Sequence, residues 1–178
     1  MDASSENDLA LMKFAVGQSV PRTEDPRLLR GEGRYTDDVN FPDQAYAVMV
    51  RSRIAHGMLK AIDARAALAL PGVLAVLTHA DLEKAGFGPL KCPVNIPGRD
   101  GSPMKTPPRP SLATDRVRFV GEAVACVVAQ TASQARDPAE IVELDIEELP
   151  AITAPADALR ADAPQIHEPA KPGRNGNI

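Results

Sequence analysis

Apolar positions along the chain come in short runs, and the runs carry two different periods. Gln44 to Ser52 (QAYAVMVRS) has the apolar density of a strand, and Gly57 to Ile62 (GMLKAI) predicts a second. Asp63 then opens DARAALALPG. Asp is a preferred N-cap, the Ala/Leu run favours helix, and Pro71-Gly72 stops it. Val73 to Leu77 (VLAVL) is a wholly apolar third strand. Thr78 and Asp81 form a capping-box variant that opens a short helix to about Ala85, ended by Gly86. Ala123 to Ala129 (AVACVVA) reads as a buried strand. Thr131 and Gln134 make a second capping box, so a helix is expected from near Ala132, with an early stop or a kink at Pro138. Val142, Leu144 and Ile146 alternate with Glu143, Asp145 and Glu147, which predicts a strand with one buried and one acidic face. Pro150 ends it, and a short helix is expected around Ala156 to Arg160.

The links differ in character. Residues 1–20 carry little periodicity and are expected to be a flexible arm. Residues 21–43 hold turn formers among few apolar residues and read as an irregular entry segment. Residues 86–115 form a proline-rich loop, with seven prolines between Pro89 and Pro110, a density that no helix or central strand survives. A loop of that length in a compact domain is functional, partner-binding or disordered. Residues 166–178 read as a linker, which leaves one domain over 21–165. The element order β-β-α-β-α-loop-β-α-β argues for an α+β fold, a mixed sheet with helices packed on it.

Composition narrows the function classes. The chain has 178 residues, 20 Lys+Arg against 24 Asp+Glu, and four Phe, two Tyr and no Trp. A net charge of −4 argues against a nucleic-acid partner, and the scarcity of aromatics against base or sugar stacking. The longest apolar run falls far short of the ~20 residues that a membrane helix needs. The first fifteen residues, polar and acidic, lack the basic start of a secretory signal, so a cytoplasmic chain without a membrane partner is expected. Its two cysteines, Cys92 and Cys126, fit a reducing compartment, with Cys126 acting as a small hydrophobe.

Candidate chemistry is sparse. His56, His79 and His167 have no Cys, Asp or Glu at metal-ligand spacing, and His167 merely adjoins Glu168. Gly31-x-Gly33 lacks the third glycine and the strand–helix setting of a dinucleotide loop, so it reads as a turn. Ser52, between Arg51 and Arg53, has no nucleophile elbow around it. The acidic run Glu140 to Glu148 reads as a solvated strand face rather than paired catalytic carboxylates. Cys92 beside Lys91 could carry an activated thiolate, against the alternative of an inert loop or interface cysteine. No catalytic, cofactor-binding or metal-ligating residue is assigned.

Three segments carry a resemblance. They are RTEDPRLLRGEGRYTDDV (Arg22 to Val39), VRSRIAHGMLKAIDARAALALPGVLAVLTHADL (Val50 to Leu82) and RVRFVGEAVACVVAQTASQARDPAEIVELDIEELPA (Arg116 to Ala151). In order and spacing they resemble the first domain of the large, molybdopterin-binding subunit of the xanthine dehydrogenase, aldehyde oxidase and carbon monoxide dehydrogenase family. The proline-rich loop is similar in style to the carbon monoxide dehydrogenase branch. Three positions depart from the family's habit: Arg53 where a Pro often follows Arg-Ser, Pro138 in place of Ala, and Ile146 in place of an aromatic.

The resemblance implies the α/β-hammerhead fold. It also implies a non-catalytic domain or subunit of a molybdenum-dependent oxidoreductase, because the family holds its molybdenum–molybdopterin in later domains. Its expected partners are the molybdopterin-binding subunit or domains, with iron–sulfur and FAD subunits beyond them. The chain would then be a detached first domain, either a split subunit or a truncated product. The alternative is a free-standing scaffold or binding module that keeps the fold without redox activity.

Overall fold

The computed structural model of the protein describes residues 22–167. The expected arm over 1–20 and most of the expected linker lie outside them. The described residues fall into two compact units, divided between Pro42 and Asp43.

The first unit corrects the reading of residues 21–43 as irregular. It holds a helical turn, α1 (Asp25–Leu29), and a 3₁₀ turn (Thr36–Asp38). The Asp25 carboxylate accepts from the Arg22 N–H at 3.0 Å, and Pro26 occupies the first turn, where its missing N–H is harmless. At the other end Gly31 has φ +72°. The Gly31 N–H donates to the Leu28 carbonyl and the Glu32 N–H to the Arg27 carbonyl. That pair of bonds is a Schellman cap, so the expectation of a turn at Gly31-x-Gly33 holds.

The second unit carries six strands: β1 (Tyr46–Arg51), β2 (Gly57–Asp63), β3 (Val73–Leu77), β4 (Arg116–Val117), β5 (Ala123–Ala129) and β6 (Glu143–Glu148). Its helices are α2 (Arg65–Leu68), α3 (His79–Lys84), α4 (Ala132–Ile141) and α5 (Pro155–Ala158). The α+β class and the element order match the expectation, with the two-residue β4 added. The expected mixed sheet is replaced by two three-stranded sheets, ordered β1-β5-β3 and β4-β2-β6, with every pairing antiparallel. Odd-numbered strands form the first sheet and even-numbered strands the second. Every link therefore crosses from one sheet to the other, and no two consecutive strands pair.

Packing explains the strand compositions. β5 is the centre of the first sheet and is covered on both faces, so it is apolar throughout. Ala125 and Val127 face a cluster with Val50, Ala67 and Val142, while Val124 faces a second cluster with Ala113 and Val117. Ile62 and Leu144 pack against both clusters and so join the sheets. β6 keeps its expected alternation, with Leu144 and Ile146 half-buried and Glu143, Asp145 and Glu147 exposed.

Two helices depart from expectation. The Ala/Leu run after Asp63 yields only one turn, α2, because Asp63 belongs to β2 and the chain must reach Gly72 (φ +84°) to enter β3. The Asp63 carboxylate still accepts from the Arg65 N–H at 3.0 Å. α4 does not stop at Pro138. The proline has no N–H for the carbonyl four residues back, yet the helix runs on to Ile141. Pro138 is less than 2 % exposed, and α4 packs on β1, β5 and α2, so tertiary burial offsets the lost bond. The capping residues stand as expected: Asp81 accepts from the Thr78 N–H at 2.7 Å, and Thr131 accepts from the Gln134 N–H at 3.2 Å.

Candidate functional site

The proline-rich segment is an arm with two branches. The Leu90 N–H donates to the Arg109 carbonyl at 2.8 Å and closes its neck. The Gly98 N–H donates to the Ser102 carbonyl at 2.8 Å and closes its tip, where Gly101 takes φ +77°. Between them Ile96 N–H reaches only the Met104 sulfur, at 3.5 Å. Prolines on both branches withhold the donors a ladder would need. Leu90, Val94 and Ile96 are exposed. Leu112 is not: it and Ala113 are each 2 % exposed, and the Ala113 N–H donates to the Ala123 carbonyl as the chain returns to the core.

Beneath the arm lie two adjoining cavities of about 560 and 1100 Å³. They share Pro89, Pro107, Pro108, Pro110, Arg118 and His167 as walls. The smaller is completed by His79, Glu83, Phe87 and Thr114, and the larger by Lys91, Cys92, Met104, Lys105, Arg109 and Phe119.

The turn that carries Arg118 and Phe119 into the cleft is pinned to the link after β1. Gly121, at φ +86°, donates its N–H to the Ser52 carbonyl at 2.8 Å, and the Ser52 N–H donates to the Glu122 carbonyl at 2.9 Å. Arg51 Nη1 donates to the Gly121 carbonyl at 2.8 Å. The buried Ser52 hydroxyl donates to the Ile54 carbonyl at 2.7 Å, so this serine organises backbone. The Glu122 carboxylate, largely buried, accepts from the Arg118 N–H.

The histidines, unremarkable in sequence, converge on this region. His56 is buried with Nδ1 at 2.8 Å from the Pro150 carbonyl, and its Nε2 has no partner. His79 opens α3 with Nδ1 buried and unpaired. His167 is half-buried. Burial lowers its pKa, the Arg118 and His56 charges add to that, and Glu122 opposes it. Among the described residues, no group of three or more His, Cys, Asp or Glu could hold a metal ion.

The remaining candidates are scattered. Cys92 lies exposed on the cleft wall with its thiol 3.4 Å from the Val94 carbonyl, while Cys126 is buried in β5, where desolvation pushes its thiol up. The acidic face of β6 is solvated. Its Glu147 pairs with Lys60 at 2.6 Å, and that bond lowers the Glu147 pKa.

The sequence marks the proline-rich loop as functional, partner-binding or disordered but does not show the cleft beneath it, although its charge carries a signal. Residues 86–118 hold six cations and two carboxylates in a chain whose net charge is −4.

The aldehyde oxidase and xanthine dehydrogenase a/b hammerhead domain matches residues 30–150. The nicotine 6-hydroxylase large subunit of Paenarthrobacter nicotinovorans is 39% identical over 150 residues, 84% of this chain and 18% of that protein. The xanthine dehydrogenase molybdenum-binding subunit of Escherichia coli O157:H7 is 41% identical over 137 residues, 77% of this chain and 18% of that protein. In the crystal structure of the carbon monoxide-reduced Cu,Mo-CO dehydrogenase, a similar chain superposes with TM-score 0.69 and 38% identity, over 90% of this chain and 19% of that one. The chain thus spans about 18% of the length of the curated relatives it matches.

Proposed function

Because this chain belongs to the aldehyde oxidase and xanthine dehydrogenase family through its a/b hammerhead domain, we propose that it is a non-catalytic structural part of a molybdenum-dependent oxidoreductase. In this reading the two-sheet unit packs against the part that binds molybdopterin, within a cytoplasmic assembly that also carries iron–sulfur and FAD subunits. The hammerhead spans 21–165, flanked by an arm and a linker.

The supporting observation is the donor set of the cleft. Four of its shared walls are prolines, which offer no N–H. A pterin's ring edge needs converging neutral donors and acceptors; the prolines withhold main-chain donors, and the side-chain donors of the larger cavity are mainly the cations Lys91, Lys105, Arg109 and Arg118, so the residues here do not fit it. No chemical step is routed through the cofactor in this chain. Its own residues bind and orient: Ser52 and Gly121 fix the Arg118 turn, and the arm presents apolar and cationic side chains outward.

The test is assembly. The full chain is expressed alone and together with the molybdopterin-binding remainder of a relative's large subunit as a separate polypeptide. Alone, it should carry no stoichiometric molybdenum, iron or flavin by elemental and absorbance analysis. Together, the two should co-elute and show dehydrogenase activity that the remainder lacks by itself. Stoichiometric molybdenum in the lone chain would overturn the reading. Failure to associate would favour a free-standing scaffold.

A further inference from the structure

We propose that the cleft beneath the proline-rich arm docks an extended acidic peptide segment with interspersed apolar side chains, supplied by the part of the oxidoreductase packed on this domain. The inference rests on the assembly reading above and adds the surface and the chemistry of its occupant.

Charge gives the first argument. Lys91, Arg109 and Arg118 line the larger cavity, and among the described residues Glu122 is the only carboxylate on its wall. Glu122 is largely buried and already accepts from the Arg118 N–H, so it does not balance Lys91 and Arg109. The rest of the chain is acidic enough to bring the total to −4, which makes the larger cavity a local inversion of sign, with Glu83 on the wall of the smaller one. An anionic partner is steered here and repelled elsewhere.

Shape gives the second. The larger cavity, at about 1100 Å³, adjoins one of about 560 Å³ through common walls. Together they exceed the roughly 300–1,000 Å³ of ordinary small-ligand pockets. A trough of that size, walled by Leu90, Met104, Phe119 and prolines, suits a chain with apolar side chains better than a compact anion.

Backbone chemistry gives the third. The two branches of the arm exchange a single main-chain bond at the neck, apart from the bonds of the tip. Seven prolines give the arm carbonyls in excess of N–H donors, and an extended segment would bring N–H groups to it, as in strand addition. Prolines already restrict the free arm, so less entropy is lost when it is held. Base stacking is poorly served, since among the described residues Phe87 and Phe119 are the only Phe, Tyr or Trp on the cleft walls.

The experiment uses the 178-residue chain and fluorescence anisotropy. The probe is a labelled peptide of about a dozen alternating glutamates and leucines. Its controls are the lysine–leucine counterpart, single-stranded DNA of equal charge, and inorganic phosphate as competitor. The acidic peptide should bind about tenfold or more tightly than the basic one, and raising salt from about 0.05 to 0.5 M should weaken it by a similar factor. The double variant Lys91→Glu/Arg109→Glu, at exposed positions, should lose about tenfold in affinity with an unchanged melting temperature. Equal binding of the two peptides, or indifference to the double variant, would overturn the proposal. So would DNA binding as tight as the acidic peptide, displacement by phosphate alone, or salt-sensitive self-association abolished by the variant, which would put a second copy in the cleft. If the chain assembles with the molybdopterin-binding part but does not bind the acidic peptide, this inference fails and the assembly reading stands. If the peptide binds and assembly does not occur, the assembly reading fails and takes with it the source of the segment, while the acidic-peptide chemistry of the cleft stands.

Discussion

Replacing Gly57 with alanine tests how tightly the second sheet is closed. Gly57 opens β2, at the centre of that sheet, opposite Val117 of β4 and Glu148 of β6. A Cβ built there would lie 2.5 Å from Ile146 Cγ2 and 2.8 Å from the Glu147 carbonyl oxygen. The methyl of Ile146 can rotate away, but a carbonyl held in the β2–β6 ladder moves only if the ladder moves. Overpacking of this kind costs about 1–3 kcal/mol, and contact with backbone places it near the top of that range. Alanine regains about 0.5–1 kcal/mol of the conformational entropy that glycine loses. The net loss is then about 2 kcal/mol, which for a chain of this size lowers the melting temperature by roughly 4–8 °C. Circular-dichroism melts and urea titration of the full chain read this directly. Gly88→Ala is the control, because nothing lies within 4 Å of a Cβ at that position. If the two variants melt together, β2 is not pressed against the backbone of β6 and the described register is wrong.

Three further outcomes can be measured. Val142→Asp should destabilise by about 3 kcal/mol or more by placing an unpaired charge in the cluster around Val50 and Val127, whereas Glu143→Gln should stay within about 0.5 kcal/mol; equal losses in urea titrations would reverse the face assignment. Asp63 should titrate at about 2 rather than 3.8 by carboxyl NMR, because hydrogen bonds from the Arg65 side chain and N–H hold it ionised; its contribution to stability is therefore whole above pH 3.8 and lost as pH falls through about 2, and an Arg65→Ala variant should return the midpoint to the ordinary range. A thiol reagent should modify Cys92 in the native chain and Cys126 only on unfolding, so simultaneous labelling would mean that β5 is not covered on both faces.

What could be read from sequence was local. The alternation over Val142 to Glu147, the apolar run of β5 and the caps at Thr78 and Thr131 each depend on neighbours within a few residues, and each stands in the structure. What was misread depends on partners far along the chain. A single mixed sheet follows from β-α-β order only if successive strands share a sheet, and here they never do. Pro138 breaks an isolated helix, but its ring is enclosed by elements that a local window does not contain. Leu112 falls within the 86–115 segment that the sequence marks as loop, yet it is buried and its neighbour Ala113 bonds across to Ala123. Spacing along the chain sets the three histidines apart, yet His56 and His167 come within electrostatic reach of each other because the chain returns after β6.

The alternation of strands between the sheets bears on how the chain is made. Among the described residues no hairpin joins two strands of the second unit, so neither sheet can grow from a local seed. β1 and β3 meet only through β5, which lies beyond the whole proline-rich arm. A polypeptide emerging from a ribosome has therefore exposed YAVMVR and VLAVL before the one strand that pairs with both has been synthesised. Long-range pairings of this kind are slow, because loop closure precedes any contact it rewards. During that interval two apolar strand edges stand open to other chains, so low temperature and slow expression should raise the soluble yield of this domain more than any change to its finished core.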